Sequence, residues 1–345
     1  MVSRREALKG AAVAGLWTAC GAALHAFRAR PEEPRVLPPG ARTWLDAHNC
    51  YPEQGAWTDR IDRALGTGLP WTAIEQDVAW APGPAASGGG RSVVSHEKTL
   101  RGDEPSLESH FFARVRPMLE RALAEGARDR WPLFVLHLDF KTNEPEHHRG
   151  VWDLLGRYER FLTTAGKPAA EGIVTPLRPG PLMVLTESGS GQEDAFSRSV
   201  PVGSRFRLFG IVPPPALSEE DAKHTHRFGP EVLIPSGATS YRRWANLSWE
   251  SVERGGPDEA GEWTDADRAR LGVLVGRAHG QGLWIRFYTL NGHARGAAQG
   301  WSGSYNFGSL EAARIRWRAA IEAGVEFAAT DQYEAFAEEL LSVRR

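Results

Sequence analysis

Eight short apolar runs recur along this chain, and most are separated by amphipathic stretches. They lie at 43–48, 72–78, 132–140, 181–186, 206–212, 244–249, 283–290 and 325–330. Gly, Pro or charged residues bound each run, and the runs are rich in residue types that fill buried strands. Helical patterns fall at 57–67, 106–126, 150–165, 264–281, 309–323 and 332–343. Thr264, followed by Asp265 and Asp267, is a strong helix start, and Ser106 before Glu108 is a weaker one. Strands alternating with helices imply a parallel sheet with helical crossovers. Eight such repeats predict an α/β fold, a closed (β/α)8 TIM barrel, occupying 42–345 as one domain. The competing topology is an open doubly wound sheet. It is disfavoured because no glycine-rich phosphate fingerprint opens a helix.

Polar residues interrupt this pattern at the places where a barrel carries its chemistry, the C-terminal strand ends. His48-Asn49 closes the first run and Glu75-Gln76-Asp77 lies in the second. His96 follows, and Asp139-Phe140-Lys141 closes the third. A spacing of two puts Glu75 and Asp77 on one strand face, and likewise Asp139 and Lys141. Carboxylates inside an apolar strand need a partner. Glu75, Asp77 and Asp139, joined by the Asn49 carbonyl, suit one hard divalent cation, Mg²⁺ or Ca²⁺. Two histidines suit proton transfer near neutrality. We read His48 as the base and His96 as the acid, with exchanged roles or a covalent histidine intermediate as alternatives. Lys141 is expected to clamp a phosphate oxygen. Glu187, Trp249, Arg286 and Tyr288 end later strands and are expected to touch substrate, although Arg286 equally suits an ion pair. Asn291 and Asp331 are weaker rim candidates, and Asp331 would also serve as a cap for the last helix. His137 is read as structural, and His147 and His148 as part of a solvated loop.

The N-terminus reads as an address. Ser3-Arg4-Arg5-Glu6-Ala7-Leu8-Lys9 precedes an Ala/Gly-rich apolar stretch, the pattern of a twin-arginine signal peptide at 1–26. Export to the periplasm or beyond is therefore expected, with lipid anchoring at Cys20 as a variant. Residues 27–41 form a Pro/Arg-rich linker. Only Cys50 would then remain, which excludes a disulfide-stapled fold. A formal net charge of −2 gives no basis for general affinity for nucleic acid or an anionic membrane. A peripheral membrane contact through a lipid substrate stays compatible, and no feature points to a protein partner.

The ordered set HN, ExD, H and DxK resembles the PLC-like phosphodiesterase superfamily, most strongly over 43–142. That superfamily includes glycerophosphodiester phosphodiesterases, phosphatidylinositol-specific phospholipases C and sphingomyelinase D enzymes. Weaker echoes occur at 284–291 and 324–331, while 187–245 is unmatched. His48-Asn49 is similar to the phospholipase C start, where the Asn helps bind calcium. Asp139-x-Lys141 is similar to the glycerophosphodiesterase form, with Asp in place of Glu as in sphingomyelinase D. The resemblance implies a metal-dependent phosphoric diester hydrolase acting on glycerophosphodiesters or phospholipid head groups. A lyase-like reaction, in which a substrate hydroxyl attacks phosphorus and leaves a cyclic phosphate, is the enzymatic alternative. A non-catalytic barrel that binds a phospho-ligand is the alternative of another class.

Overall fold

A computed structural model describes residues 38–53, 55–83, 89–170, 172–288, 290–297 and 303–343. The signal segment, Cys20 and most of the linker lie outside them.

Eight strands form the centre: β1 (Trp44–Ala47), β2 (Thr72–Pro82), β3 (Phe134–Phe140), β4 (Leu182–Thr186), β5 (Phe209–Ile211), β6 (Arg242–Ser248), β7 (Trp284–Tyr288) and β8 (Phe327–Thr330). Each pairs in parallel with its sequence neighbour, from β1–β2 through to β7–β8. Strand β8 then pairs in parallel with β1, with Ala47 opposite Thr330. The sheet therefore closes on itself, which excludes the open doubly wound alternative and leaves the parallel strands without a free edge. Apolar side chains such as Leu45, Leu136, Val184, Ile285 and Ala328 are fully buried in it.

Helices cover the barrel: α1 (Arg60–Leu65), α2 (Ala113–Glu125), α3 (Pro145–Arg157), α4 (Asp265–Gly280), α5 (Leu310–Ala323) and α6 (Tyr333–Val343). The expected start of α4 holds, because the Thr264 hydroxyl accepts from the Asp267 N–H and the Asp267 side chain returns a bond to the Thr264 backbone. Gly324 ends α5 at φ 81°, a left-handed turn that carries the chain straight into β8. Helix α3 begins earlier than expected, because Pro145 is well suited to the first helical turn. His147 and His148 are thus buried helix residues and not part of a solvated loop. His147 lies 3.0 Å from both the Ser92 and Thr142 hydroxyls, and burial pushes its pKa down to about 4.

Three further departures shape the molecule. Strand β2 runs past the barrel rim, where Val78–Pro82 pairs antiparallel with Gly90–Val94. Of the run at 206–212, Phe209–Ile211 enters the barrel. Arg205–Phe206 instead joins a small antiparallel sheet with Thr164–Gly166 and Leu177–Arg178. Short helical turns such as Glu219–Ala222 and Pro230–Leu233 occupy the long excursion between β5 and β6.

Trp249 lies just beyond β6 and is 0% exposed. It packs against Trp263 and Phe287, and its indole N–H donates to Glu253 at 2.6 Å. Glu253 also receives a two-pronged bond from Arg316 of α5, at 2.7 and 2.9 Å, with both partners buried. Removing one member of such a pair strands the other charge in the core. Arg316→Met is therefore expected to lower the unfolding free energy by about 3–5 kcal/mol. Breaking the exposed Arg63–Glu334 pair is expected to cost no more than about 1 kcal/mol. Urea unfolding of the two variants measures the contrast, and equal small losses would contradict it.

Candidate active site

The C-terminal mouth of the barrel holds a cavity of about 240 Å³ lined by His48, Asn49, Glu75, Asp77, His96, Asp139, Lys141, Glu187, Asn246, Arg286, Tyr288 and Tyr305. Of the expected catalytic, metal and substrate residues, all but Trp249 therefore share one space. Trp249 does not line it: its ring is fully buried against Trp263 behind β6.

His48 is held from below. Because β1 and β8 are neighbours, the residues just past their ends meet, and Asp331 Oδ1 lies 2.9 Å from His48 Nδ1. Asn291 fixes Asp331 by accepting from its backbone N–H at 2.7 Å and donating to its carboxylate at 3.1 Å. Asn49 Nδ2 donates to the same carboxylate at 3.2 Å. Asn49 sits at φ 52°, a left-handed conformation that Asn tolerates better than most residues, and Arg60 donates to its carbonyl at 2.8 Å. Asp331 thus orients a histidine and is more than a helix cap or rim residue. An aspartate on Nδ1 leaves Nε2 as the nitrogen available for proton transfer. His48 Nε2 lies 3.7 Å from Glu75 Oε2.

The strand register stacks the acids. Glu75 is opposite His137 and Asp77 is opposite Asp139 across β2 and β3. Oxygens of Glu75, Asp77 and Asp139 lie within 4.8 Å of one another. Lys141 Nζ sits between Asp77 and Asp139 at 2.8 Å from each. Tyr51 adds a hydroxyl donor to Asp77 at 2.7 Å. Arg286 is buried and spans the mouth: it bonds Asp46, meets Glu75 at 2.8 Å and donates to Asn246 at 3.2 Å. Its ion pairs engage it fully, so its first role is to hold carboxylates. Glu187 pairs with His137 at 3.2 Å and accepts from Asn246 at 2.8 Å.

These charges do not balance. Three carboxylates, Glu75, Asp77 and Asp139, share two permanent cations, Lys141 and Arg286. Burial, reinforced by Asp139 and Glu75, holds Asp77 well above the usual carboxylate range. A trio of hard oxygen donors carrying surplus negative charge fits a divalent cation of the Mg²⁺ or Ca²⁺ kind. Asn49 stands in the same wall, its side-chain oxygen 2.9 Å from the Tyr51 hydroxyl.

His96 reaches the cavity by a different route. The strand Gly90–Val94 returns antiparallel to β2, and Ser95 N–H donates to the Asp77 carbonyl at 3.0 Å. The next residue, His96, therefore stands at the rim with 41% of its side chain exposed. Sequence reasoning missed Asp46, Asn246 and Tyr305. Asp46 sits two residues before His48 on β1, a spacing that signals a shared face. Tyr305 arrives from a loop and contacts the His48 ring edge-on at 5.7 Å, a placement no strand periodicity encodes.

No protein-family profile matches this chain, and no curated protein does. Solved structures of similar shape exist. One is a glycerophosphoryl diester phosphodiesterase from Parabacteroides distasonis, 14% identical, with a TM-score of 0.37 over 90% of this chain and 88% of that one. A Burkholderia cenocepacia dihydropteroate synthase is 16% identical, with a TM-score of 0.35 over 90% and 96%. The corresponding enzyme from Xanthomonas albilineans is 14% identical, with a TM-score of 0.40 over 90% and 94%. Similarities this weak carry no argument about chemistry, and the closed barrel rests on its own strand pairing.

Burial works against protonating His48, but Glu75 and Asp331 outweigh it and raise its pKa above the ordinary imidazole value. Replacing Asp331 with Asn removes one of the two charges responsible. In protein freed of divalent cations, the His48 imidazole should then titrate at lower pH than in the parent. Side-chain NMR titration reads this directly. An unmoved midpoint would mean that Asp331 does not govern His48.

Proposed function

We propose that this protein is a metal-dependent phosphoric diester hydrolase acting on glycerophosphodiesters or phospholipid head groups. One observation carries the reading: an aspartate-supported histidine, a second histidine and a cation-ready carboxylate trio line one cavity at the barrel mouth. A phosphodiester resists hydrolysis because its anionic oxygens repel the nucleophile and its leaving alkoxide is poor. Glu75, Asp77 and Asp139 would hold a divalent cation, which when bound offsets that charge. His48 takes the proton of the attacking water through Nε2, and Asp331 stabilises the imidazolium that forms. Lys141 and Arg286 contribute positive charge beside the phosphate oxygens, with Lys141 the nearer to solvent. His96, at the rim, donates a proton to the departing oxygen. The cavity of about 240 Å³ suits a head group better than a whole lipid, so acyl chains would remain outside. The N-terminal pattern places this activity outside the cytoplasm in the same proposal, periplasmic or secreted.

Hydrolysis of bis(p-nitrophenyl) phosphate and of glycerophosphocholine, with Mg²⁺, Ca²⁺ or EDTA, tests the reading. EDTA and Asp77→Asn should each abolish turnover, and His48→Ala should cost about 10²–10⁴-fold on both substrates. His96→Ala should separate them. A p-nitrophenolate leaves without help, so this variant should lose far less on that substrate than on the alkyl ester. A cyclic phosphate product would move the nucleophile from water to a substrate hydroxyl. Folded protein that turns over neither substrate under any condition, yet binds one, would make this a phospho-ligand-binding barrel.

A further inference from the structure

A second group of metal-type donors lies away from the catalytic cavity. His224 and His226 sit in the excursion between β5 and β6, and Glu250 sits in the helical turn Trp249–Ser251 just beyond β6. One ligand atom from each lies within 4.8 Å of the others. His226 Nδ1 lies 2.7 Å from Glu250 Oε1, and the two imidazole rings meet edge-on at 6.0 Å. His224 Nε2 lies 3.0 Å from Glu220, whereas its buried Nδ1 has no hydrogen-bond partner among the described residues. The side chains of His226 and Glu250 are 18% and 13% exposed, so the group is sheltered but within reach of solvent.

We infer that His224, His226 and Glu250 form a transition-metal site that takes Zn²⁺ and pins the β5–β6 excursion to the barrel's C-terminal face. The donor chemistry separates it from the trio in the mouth. Two imidazoles and one carboxylate select zinc-like ions, whereas carboxylates alone select Mg²⁺ or Ca²⁺. Three protein ligands leave a fourth position for water. Tetrahedral zinc holds N and O ligands at about 2.1 Å, which sets ligand atoms about 3.4 Å apart. The His226–Glu250 contact must open slightly and the remaining separations close, a change within the reach of partly exposed side chains. The benefit is structural. The excursion has short helical turns and no long helix of its own, and a metal joining its two histidines to the turn after β6 would anchor it at one point. This site stands whether or not the mouth is a phosphodiesterase.

The full chain, stripped by chelator and equilibrated with Zn²⁺ in excess Mg²⁺, is desalted and its zinc counted by elemental mass spectrometry. The parent should retain an equivalent of zinc that His224→Gln and His226→Gln each lose and Asp77→Asn keeps. With Co²⁺ in place of Zn²⁺, the parent should show the intense visible bands of a tetrahedral ion, absent from His226→Gln. These variants alter partly exposed side chains, and circular dichroism checks that they fold. If zinc is lost in Asp77→Asn but kept in His226→Gln, the ion belongs to the mouth and the inference fails. It fails equally if the parent retains no zinc, because the histidine–glutamate contact is then a hydrogen bond only.

Discussion

The barrel mouth depends on Arg286. Its guanidinium reaches from β7 to Asp46 on β1, Glu75 on β2 and Asn246 on β6. These strands bring buried polar groups to the point where the parallel sheet closes. Burying any of those carboxylates alone would be costly, and a planar donor with several N–H groups satisfies them together. Burial by itself would raise the Asp46 pKa, but Arg286 and His137 reverse this and hold Asp46 well below the usual carboxylate range. The outcome is a floor of fixed charge beneath the cavity, which leaves the upper acids to face whatever enters.

Above that floor the balance shifts. Asp77 and Asp139 share the Lys141 ammonium, which they keep charged despite burial. His137, a layer deeper, is pulled the same way. Burial and Arg286 oppose its protonation, yet Asp46, Glu187 and Glu75 raise its pKa to about 9. Charge in the mouth is therefore layered. Deep groups are paired among themselves, and the surplus negative charge lies at the level of Asp77, where a hard cation would be bound.

Much of this was legible in the sequence, for reasons that also explain what was not. The strand runs were readable because parallel barrel strands are buried on both faces, so their apolar character is nearly continuous. The site acids were readable because they break that character at a fixed spacing. Trp249 was misplaced because a strand-end position does not say whether a side chain faces the mouth or the helices behind it. The indole hydrogen bond to Glu253 and the ring of Trp263 decide that. His147 and His148 were misread because their polarity suggested solvent, whereas Ser92, Thr142 and Asn143 satisfy them inside the fold. The Asp331–His48 contact spans 283 positions, and only the closure of β8 onto β1 brings the pair together.

The two histidines of the mouth differ in the way their proposed tasks require. A base must present one nitrogen in one direction while charge develops on its ring. His48 has this support, with Asp331 behind Nδ1 and Asn291 behind Asp331. An acid that protonates a departing group must sit where the product leaves and must recover its proton from water. His96 meets that need because it is carried on a hairpin return outside the barrel core and is partly exposed to solvent. Exchanging the roles would put proton recovery at the buried histidine and the directional demand at the exposed one. The extension of β2 past the barrel rim is thus more than a decoration of the fold, since without its antiparallel return the mouth would hold one histidine and no separate route for the second proton.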